Sequence, residues 1–288
     1  MQISYRKRLT RNLQSIPGWR TNRKIVVIES DDWGTVRMAS KGAYNFFLSK
    51  GLEVDKCPYN SNDALESNDD MEFLLETLNS VKDVNGNPAI LTANNIVANP
   101  DFEKIKNDNF QKYHYELFTD TLKKYPSHDR VLNLYKEGIG KKLIKPQSHG
   151  REHVNVDLWM ESLRNNDEFT KIAFEHNMFS VHPSSKPKYK DEFMDAFGSN
   201  KNISEQKEIA SDSLKIFEEI WGMKSKSFIA PSYTWNPLLE ETLNINGVKY
   251  LQGIMVQKTH SEHYGLPIKK KFHYQGEKNK FGQRYLVR

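Results

Sequence analysis

Short apolar runs alternate along the chain with longer amphipathic stretches. The first run, residues 25–28, is continuous and rich in β-branched residues, which is typical of a strand buried on both faces. The same criteria predict further strands at residues 89–92, 143–146, 178–181, 227–230, 249–256 and 284–287. These segments are too short for helices and suit a central sheet.

Helical periodicity fills the intervals between the predicted strands. It covers residues 39–50, 70–81, 157–165, 205–221 and 237–244. Strand–helix alternation indicates a mostly parallel sheet, and about seven such strands in one domain favour an α/β fold of the distorted (β/α)7-8 barrel type. No glycine-rich phosphate loop follows the first strand, which argues against a nucleotide-binding fold.

The domain organisation predicted from these patterns is simple. Residues 1–23 form a basic N-terminal extension, and residues 24–288 form a single barrel domain. Within it, residues 97–140 are polar and aromatic-rich and are interpreted as an insertion, either a packed surface subdomain or a cover for a substrate groove.

The charge pattern changes this picture little. The formal net charge is +5, and basic residues concentrate in the first 24 positions. Such a cluster suits an anionic surface, but a solvated helix explains it equally well and is the favoured interpretation. No nucleic-acid-binding motif accompanies it, so we expect no nucleic-acid partner.

The cysteine content and the apolar segments limit which covalent links, metal sites and cellular locations the sequence allows. Cys57 is the single cysteine, which excludes an internal disulfide and a cysteine-based zinc cluster. No secretory h-region and no run of 18 apolar residues is present, so we expect a cytoplasmic protein without a transmembrane segment. Any substrate would then be one found inside the cell.

Two adjacent carboxylates, Asp31 and Asp32, end the first predicted strand, and Trp33 and Gly34 follow them. Active sites of parallel barrels form at the carboxyl ends of the strands. Neighbouring carboxylates repel each other, and a divalent cation relieves this when one ligates it and the other remains able to take a proton. The alternative is that one aspartate caps the next helix.

Two histidines, His149 and His153, follow the predicted strand at 143–146. Their i, i+4 spacing predicts that both imidazoles lie on one side of a helical turn and share a metal. Two histidines and one aspartate form a three-ligand set for zinc or a similar ion and leave a coordination position open for water.

A third loop follows the strand at 227–230 and contains Pro231, Tyr233 and Trp235. Its aromatic residues suit a sugar-binding wall, and its backbone N–H groups could hold an oxyanion. A helix-entry loop with aromatic packing is the alternative. Asn236 followed by Pro237 predicts the start of the next helix at this point.

The three motifs in this order resemble those of the polysaccharide deacetylases, the family-four carbohydrate esterases. The resemblance runs over residues 24–257 and is confined to the motifs. It implies a distorted barrel, a divalent metal (zinc above all) and removal of acetyl groups from N-acetylated or O-acetylated sugars or polysaccharide precursors. It implies Asp31 as general base, Asp32, His149 and His153 as metal ligands, and the Tyr233 N–H as oxyanion donor. We interpret the following residues as substrate-binding: Trp33, Arg151, His182, Pro231 and Trp235.

Three departures from the family pattern bear on catalysis. Trp33 stands where the family has glycine, and Ala230 stands where it has an arginine that orients the base, a role open to Arg151 or Arg37. No match to the terminal Leu-x-x-His motif, which supplies the general acid, is present. Either the chain ends before that strand, or the acid role has moved or been lost. His182 is one candidate for a moved acid. A non-catalytic carbohydrate-binding protein and a metal-dependent hydrolase of another glycan bond are the alternatives.

Overall fold

The computed structural model describes residues 9–10, 12–13, 15–181, 196–198, 202–259 and 269–288. By their internal contacts, these residues divide into two compact units. One comprises Ile28–Ala196, and the other comprises Met1–Val27 together with Phe197–Arg288.

Three parallel strands organise the unit Ile28–Ala196. Strands β1 (Ile28–Trp33) and β2 (Leu91–Asn95) pair in parallel, with Ile28 opposite Leu91. A short antiparallel pair follows, formed by β3 (Ala98–Pro100) and β4 (Tyr115–Leu117). Strand β5 (Ile144–Ser148) pairs in parallel with the other side of β2. The carboxyl ends of β1, β2 and β5 therefore lie side by side at one edge.

Among the described residues of this unit, five of the eight helices begin at a residue whose side chain accepts a backbone N–H of the first turn. The eight helices are α1 (Lys41–Ser49), α2 (Pro58–Asn62), α3 (Asn68–Ser80), α4 (Phe102–Asn107), α5 (Phe118–Thr121), α6 (Val131–Gly140), α7 (Val156–Arg164) and α8 (Glu168–Phe174). Ser67 forms a capping box with Asp70 at the start of α3. Phe47 and Trp159 are fully buried members of two apolar clusters beneath these helices.

The second unit repeats the parallel pairing. Strands β6 (Ser227–Ile229) and β7 (Tyr250–Gly253) pair in parallel, and β10 (Arg284–Val287) pairs with the other side of β7. An antiparallel ribbon joins β8 (Val256–Thr259) to β9 (Lys269–Phe272). Its helices are α9 (Ile203–Trp221), which ends at Gly222 in the left-handed conformation, and α10 (Glu240–Ile245).

The parallel α/β class and five predicted helices are confirmed within a few residues. The helix predicted at 237–244 begins with a 3₁₀ turn, Pro237–Leu239, capped by Asn236. The described residues contain six parallel strands, and these do not close into the predicted (β/α)7-8 barrel. The extension at 1–23 and the insertion at 97–140 stay predictions. Within the described residues, no helix is both long and apolar enough to cross a membrane.

Two strand predictions are wrong. Residues 25–27 lie outside β1, and Val26 is 88% exposed, because the pairing with β2 starts only at Ile28. Residues 178–181 form no strand. The Met178 N–H donates to the Ala173 carbonyl at the end of α8. The Phe179 carbonyl accepts the Trp159 Nε1–H at 2.9 Å. These residues are apolar because they fill the core beside α7 and α8.

The strand predicted at 249–256 is divided. β7 ends at Gly253, where an added Cβ would lie 3.2 Å from the Trp235 ring, and β8 begins at Val256. The chain thus leaves the parallel strands and enters the ribbon within two residues.

Candidate metal centre

The aspartate pair lies within β1 rather than after it, at an irregularity in the pairing with β2. Ser30 is opposite Ala93 and Trp33 is opposite Asn95, so Asp31 and Asp32 together oppose the single residue Asn94. This two-against-one arrangement is a β-bulge. Asp32 adopts φ 68°, an uncommon conformation for a residue other than glycine. The bulge turns the two neighbouring carboxylates toward different partners.

The histidines follow β5 in an irregular loop. The His149 N–H donates to the Asn95 carbonyl at 2.7 Å, and Gly150 adopts φ 107°. The Arg151 carbonyl accepts the N–H groups of Val97 and Ala98. The prediction that His149 and His153 lie on a helical turn is therefore wrong, since α7 begins only at Val156. Backbone hydrogen bonds to β2 and β3 bring the imidazoles together instead.

Asp32, His149 and His153 converge on one point. Asp32 Oδ1 lies 3.0 Å from His149 Nε2 and 3.1 Å from His153 Nε2. The imidazole centroids are 5.1 Å apart, and ligand atoms of all three residues lie within 4.8 Å of one another. Both histidines are buried, whereas the Asp32 side chain is 24% exposed. The predicted three-ligand set is confirmed as a cluster that is open to solvent on the aspartate side.

The protonation states suit a cation. Burial opposes ionisation of Asp32, but His153 and His149 outweigh it and hold the pKa of this carboxyl far below its usual range. Burial lowers the pKa of His153, which favours the neutral imidazole, against the opposing attraction of Asp32. An ionised carboxylate and a neutral imidazole are the forms that bind zinc or a similar divalent ion, so the donors fit such an ion.

Asp31 has a different partner. Its Oδ1 accepts a hydrogen bond from Nδ2 of Asn94 at 2.8 Å. Asp31 is half-buried, whereas Asn94 is fully buried. The two aspartates therefore face separate environments, histidines for Asp32 and a side-chain amide for Asp31.

The buried carboxyl group of Glu66 accepts a hydrogen bond from the turn after the aspartates. Glu66 Oε2 accepts the Gly34 N–H at 3.1 Å, and its Oε1 accepts the Tyr135 hydroxyl at 2.7 Å. The Trp33 ring packs edge-on against Tyr135, with 6.1 Å between centroids. Burial raises the pKa of Glu66, and hydrogen bonds from Tyr135 and Gly34 oppose this rise.

Sequence reasoning missed Asn94, Glu66 and Tyr135. A signal existed for Asn94, because two polar residues, Asn94 and Asn95, come soon after the predicted strand at 89–92, at the edge where the other motifs lie. No comparable signal marks Glu66 or Tyr135, which lie 32 and 101 positions after Gly34.

The other predicted site residues of this unit have these contacts. Arg151 forms two hydrogen bonds with the carboxylate of the adjacent Glu152, and its guanidinium lies 4.4 Å from the centroid of Tyr115. The Arg37 guanidinium lies over the rings of Tyr59 and Phe179. Roles for Trp33, Arg151 and Arg37 in binding substrate or orienting the base stay predictions.

The third motif belongs to the second unit. Residues Pro231–Tyr233 form a 3₁₀ turn in which Ser232 and Tyr233 have φ near 55°, an uncommon conformation for two successive residues. The Tyr233 N–H donates to the Ala230 carbonyl at 2.9 Å, so an oxyanion would compete with that carbonyl.

Trp235, from the same motif, is 3% exposed, and its Nε1–H donates to Glu240 at 3.2 Å. Pro231 is also buried. Their predicted roles stay predictions, as does that of Tyr233, and His182 lies outside the described residues.

Comparisons with known proteins give only distant similarities. No protein-family model matches the chain, and no curated protein matches its sequence. Among solved structures, a polysaccharide deacetylase from Bacillus cereus is 10% identical, with a TM-score of 0.35 over 92% of this chain and 64% of that one. IcaB from Ammonifex degensii is 11% identical, with a TM-score of 0.31 over 91% of both chains.

A 4-alpha-glucanotransferase from Thermococcus litoralis is also 11% identical, with a TM-score of 0.35. The similarity covers 85% of this chain but 27% of the glucanotransferase. Structural neighbours of this chain thus include polysaccharide deacetylases and glucan-processing enzymes.

Proposed function

We propose that the chain is a metal-dependent hydrolase that removes acetyl groups from N-acetylated, or O-acetylated, sugars. The observation that carries the proposal is the convergence of Asp32, His149 and His153 beside a second carboxylate, Asp31, that is held separately. A set of candidate metal ligands next to a carboxylate with its own hydrogen-bond donor suits hydrolysis by an activated water.

Asp32, His149 and His153 would hold the cation, for which zinc is our proposal. When bound, the ion supplies positive charge that polarises the acetyl carbonyl and eases deprotonation of water. The histidine donors and the absence of a cysteine in the set agree with a catalytic zinc rather than a structural one.

Asp31 acts as general base in this proposal. It accepts a proton from the attacking water as the new carbon–oxygen bond forms. The acetyl carbon–nitrogen bond then breaks, and the departing amine takes up one proton, which balances the proton taken by Asp31. Acetate and the free amino sugar are the products. The Tyr233 N–H is proposed as the donor to the tetrahedral oxyanion.

A sugar substrate is supported by the motif resemblance, which includes the order of the aspartate pair, the histidine pair and the Pro231–Tyr233 loop. The proposed contacts to it are those of Trp33, Arg151, His182, Pro231 and Trp235. No observation favours a non-catalytic carbohydrate-binding protein or cleavage of another glycan bond over deacetylation.

The test is acetate release by the zinc-loaded full chain, measured on a panel of N-acetylglucosamine oligomers, UDP-N-acetylglucosamine and acetylated xylan. Asp31→Asn should retain the metal and lower turnover by about 100-fold or more. Zinc-loaded protein that binds these sugars but releases no acetate would show a carbohydrate-binding protein. Cleavage of the glycan without acetate release would show a hydrolase of another bond.

A further inference from the structure

We propose that Asn94 is the positioning residue of the proposed base: its side-chain amide holds Asp31 in the orientation needed to take a proton. This inference rests on the proposed function. It assigns to an uncharged residue of β2 a role for which the sequence offered only arginines.

The bulge in β1 creates the contact. Because Asp31 and Asp32 together oppose Asn94, its side chain faces the aspartate pair. The side chain of the next residue, Asn95, faces the other way, and its Nδ2 lies 3.4 Å from the Tyr135 hydroxyl. Both asparagines are fully buried. The side chain of Asn94 contacts Asp31, whereas that of Asn95 lies near Tyr135.

The amide of Asn94 has one acceptable orientation. A carboxylate can only accept hydrogen bonds, so Nδ2 must face Asp31, and exchanging Nδ2 with Oδ1 would place two acceptors 2.8 Å apart. Asn94 Oδ1 is buried and lacks a hydrogen-bond partner among the described residues. The Oδ1 atom of Asn95 is likewise buried without a partner among the described residues, so the hydrogen bond from Nδ2 to Asp31, and not the unpartnered oxygen, distinguishes Asn94.

The hydrogen bond from Asn94 gives the Asp31 carboxylate a position of its own, so Asp31 and Asp32 can have different roles. Asp32 is held by the two histidines, and a second carboxylate turned toward them would compete for the same ligand position. Asn94 holds Asp31 at its own location, where Oδ1 accepts the hydrogen bond from the Asn94 amide. General-base catalysis requires such fixed geometry, because the base must lie within hydrogen-bond distance of the proton it removes.

Asn94→Leu tests this inference, since leucine retains the volume and removes the donor. We expect kcat for acetate release to fall about 10- to 100-fold, which is the usual effect of removing an outer hydrogen-bond partner. KM and bound zinc per chain, measured by elemental analysis after dialysis, should stay as in the unchanged protein. In an Asp31→Asn background, Asn94→Leu should cause no further loss of kcat.

Asn68→Leu is the matched control. The Nδ2 of Asn68 donates to Asp129 Oδ1 at 2.9 Å, which is the same type of hydrogen bond from a buried asparagine, formed at the start of α3. This control should lose stability but keep kcat and zinc. If Asn94→Leu does not fold, Asn94→Ser serves instead, because its smaller side chain cannot reach Asp31 and presses no apolar group against it.

The outcomes separate the two proposals. No acetate release by the unchanged protein on any substrate overturns the proposed function and this inference with it. Acetate release together with wild-type kcat in the Asn94 variants overturns the inference alone. Loss of zinc along with activity also overturns it, because Asn94 would then support the metal ligands rather than the base.

Discussion

Oε2 of Glu66 accepts the backbone N–H of Gly34 at 3.1 Å, so a buried carboxyl group fixes the turn that follows the two aspartates. The same carboxyl accepts the Tyr135 hydroxyl through its other oxygen. Two buried donors therefore depend on Glu66, and one of them belongs to the segment that sets the conformation of Asp32. The position of Asp32, a candidate metal ligand, is linked in this way to a residue outside the cluster of Asp32, His149 and His153.

Glu66→Ala should destabilise the protein and weaken metal binding. The Gly34 N–H and the Tyr135 hydroxyl would lose their partner, and each buried group left unsatisfied costs about 1–3 kcal/mol of unfolding free energy. We expect a total loss of about 2–5 kcal/mol, measured by urea denaturation, and a zinc affinity reduced about 10-fold or more. Glu72→Ala is the control, because Glu72 pairs with Arg130 on the exposed side of α3. Equal zinc affinity in both variants would contradict the link.

Glu66→Gln should change how stability depends on pH. Burial raises the folded-state pKa of Glu66 above its ordinary value of 4.5. Its contribution is therefore fully present below about pH 4.5 and is lost as pH rises through the raised pKa. Glutamine does not titrate, so the variant should gain stability relative to the unchanged protein as pH rises above 4.5. Denaturation curves at several pH values measure this, and a constant difference between the two proteins would refute the prediction.

Gly34→Ala should disrupt the turn directly. Gly34 has φ +83°, and an added Cβ would lie 3.0 Å from the Ile96 carbonyl oxygen and 3.2 Å from the Phe118 ring. The left-handed conformation alone costs a residue with a side chain about 1–2 kcal/mol. Gly51→Ala separates the two effects, because Gly51 has φ +74° and open space around it. We expect a larger drop in Tm for Gly34→Ala and a loss of bound zinc in that variant only.

Most helix boundaries and the three candidate metal ligands could be predicted from the sequence, because local signals determine them. Ser40 and Asn155 cap helices that start within two residues of the predicted positions. Asp32, His149 and His153 are chemically distinctive and lie in the last residues of a strand or soon after one. Residues 178–181 could not be predicted correctly, because an apolar run in the core has the same composition whether or not it pairs as a strand.

The supporting residues of the site depend on register, which composition does not determine. Asn94 reaches Asp31 only because β1 contains a bulge, and the residues that form it, Ser30 to Trp33, carry no mark of an extra residue in the pairing. His273 shows the same limitation. Its surroundings in the sequence are rich in lysine, yet it is 3% exposed and stacks on Tyr285 at 3.6 Å.

His273 should make the stability of the protein sensitive to mild acid. Its Nδ1 lies 3.0 Å from Glu277 Oε2 and its Nε2 lies 2.8 Å from Gln257 Oε1. Burial lowers the pKa of His273 below its ordinary 6.5, although Glu277 opposes this. A depressed folded-state pKa means that the contribution is present above about pH 6.5 and is lost as pH falls below it.

His273→Gln should therefore lose less stability than the unchanged protein between pH 7 and pH 5. Thermal denaturation of both proteins across that range measures the slope. Parallel curves for His273→Gln and the unchanged protein would show that His273 does not titrate in this range.

Substitution of the ligands tests the metal centre without any substrate. Asp32→Ala and His149→Ala each remove one of three donors, so zinc affinity should fall by more than the roughly 10- to 100-fold caused by losing an outer hydrogen-bond partner. His114→Ala is the matched control, because it also removes a histidine 3.1 Å from an aspartate oxygen, outside the cluster.

Elemental analysis after dialysis should find about one zinc ion per chain in the unchanged protein and in the control, and almost none in the two ligand variants. Zinc retained by both variants at the level of the control would mean that Asp32 and the two histidines form only a hydrogen-bonded cluster. The proposed hydrolysis would then lack the positive charge that it needs next to Asp31.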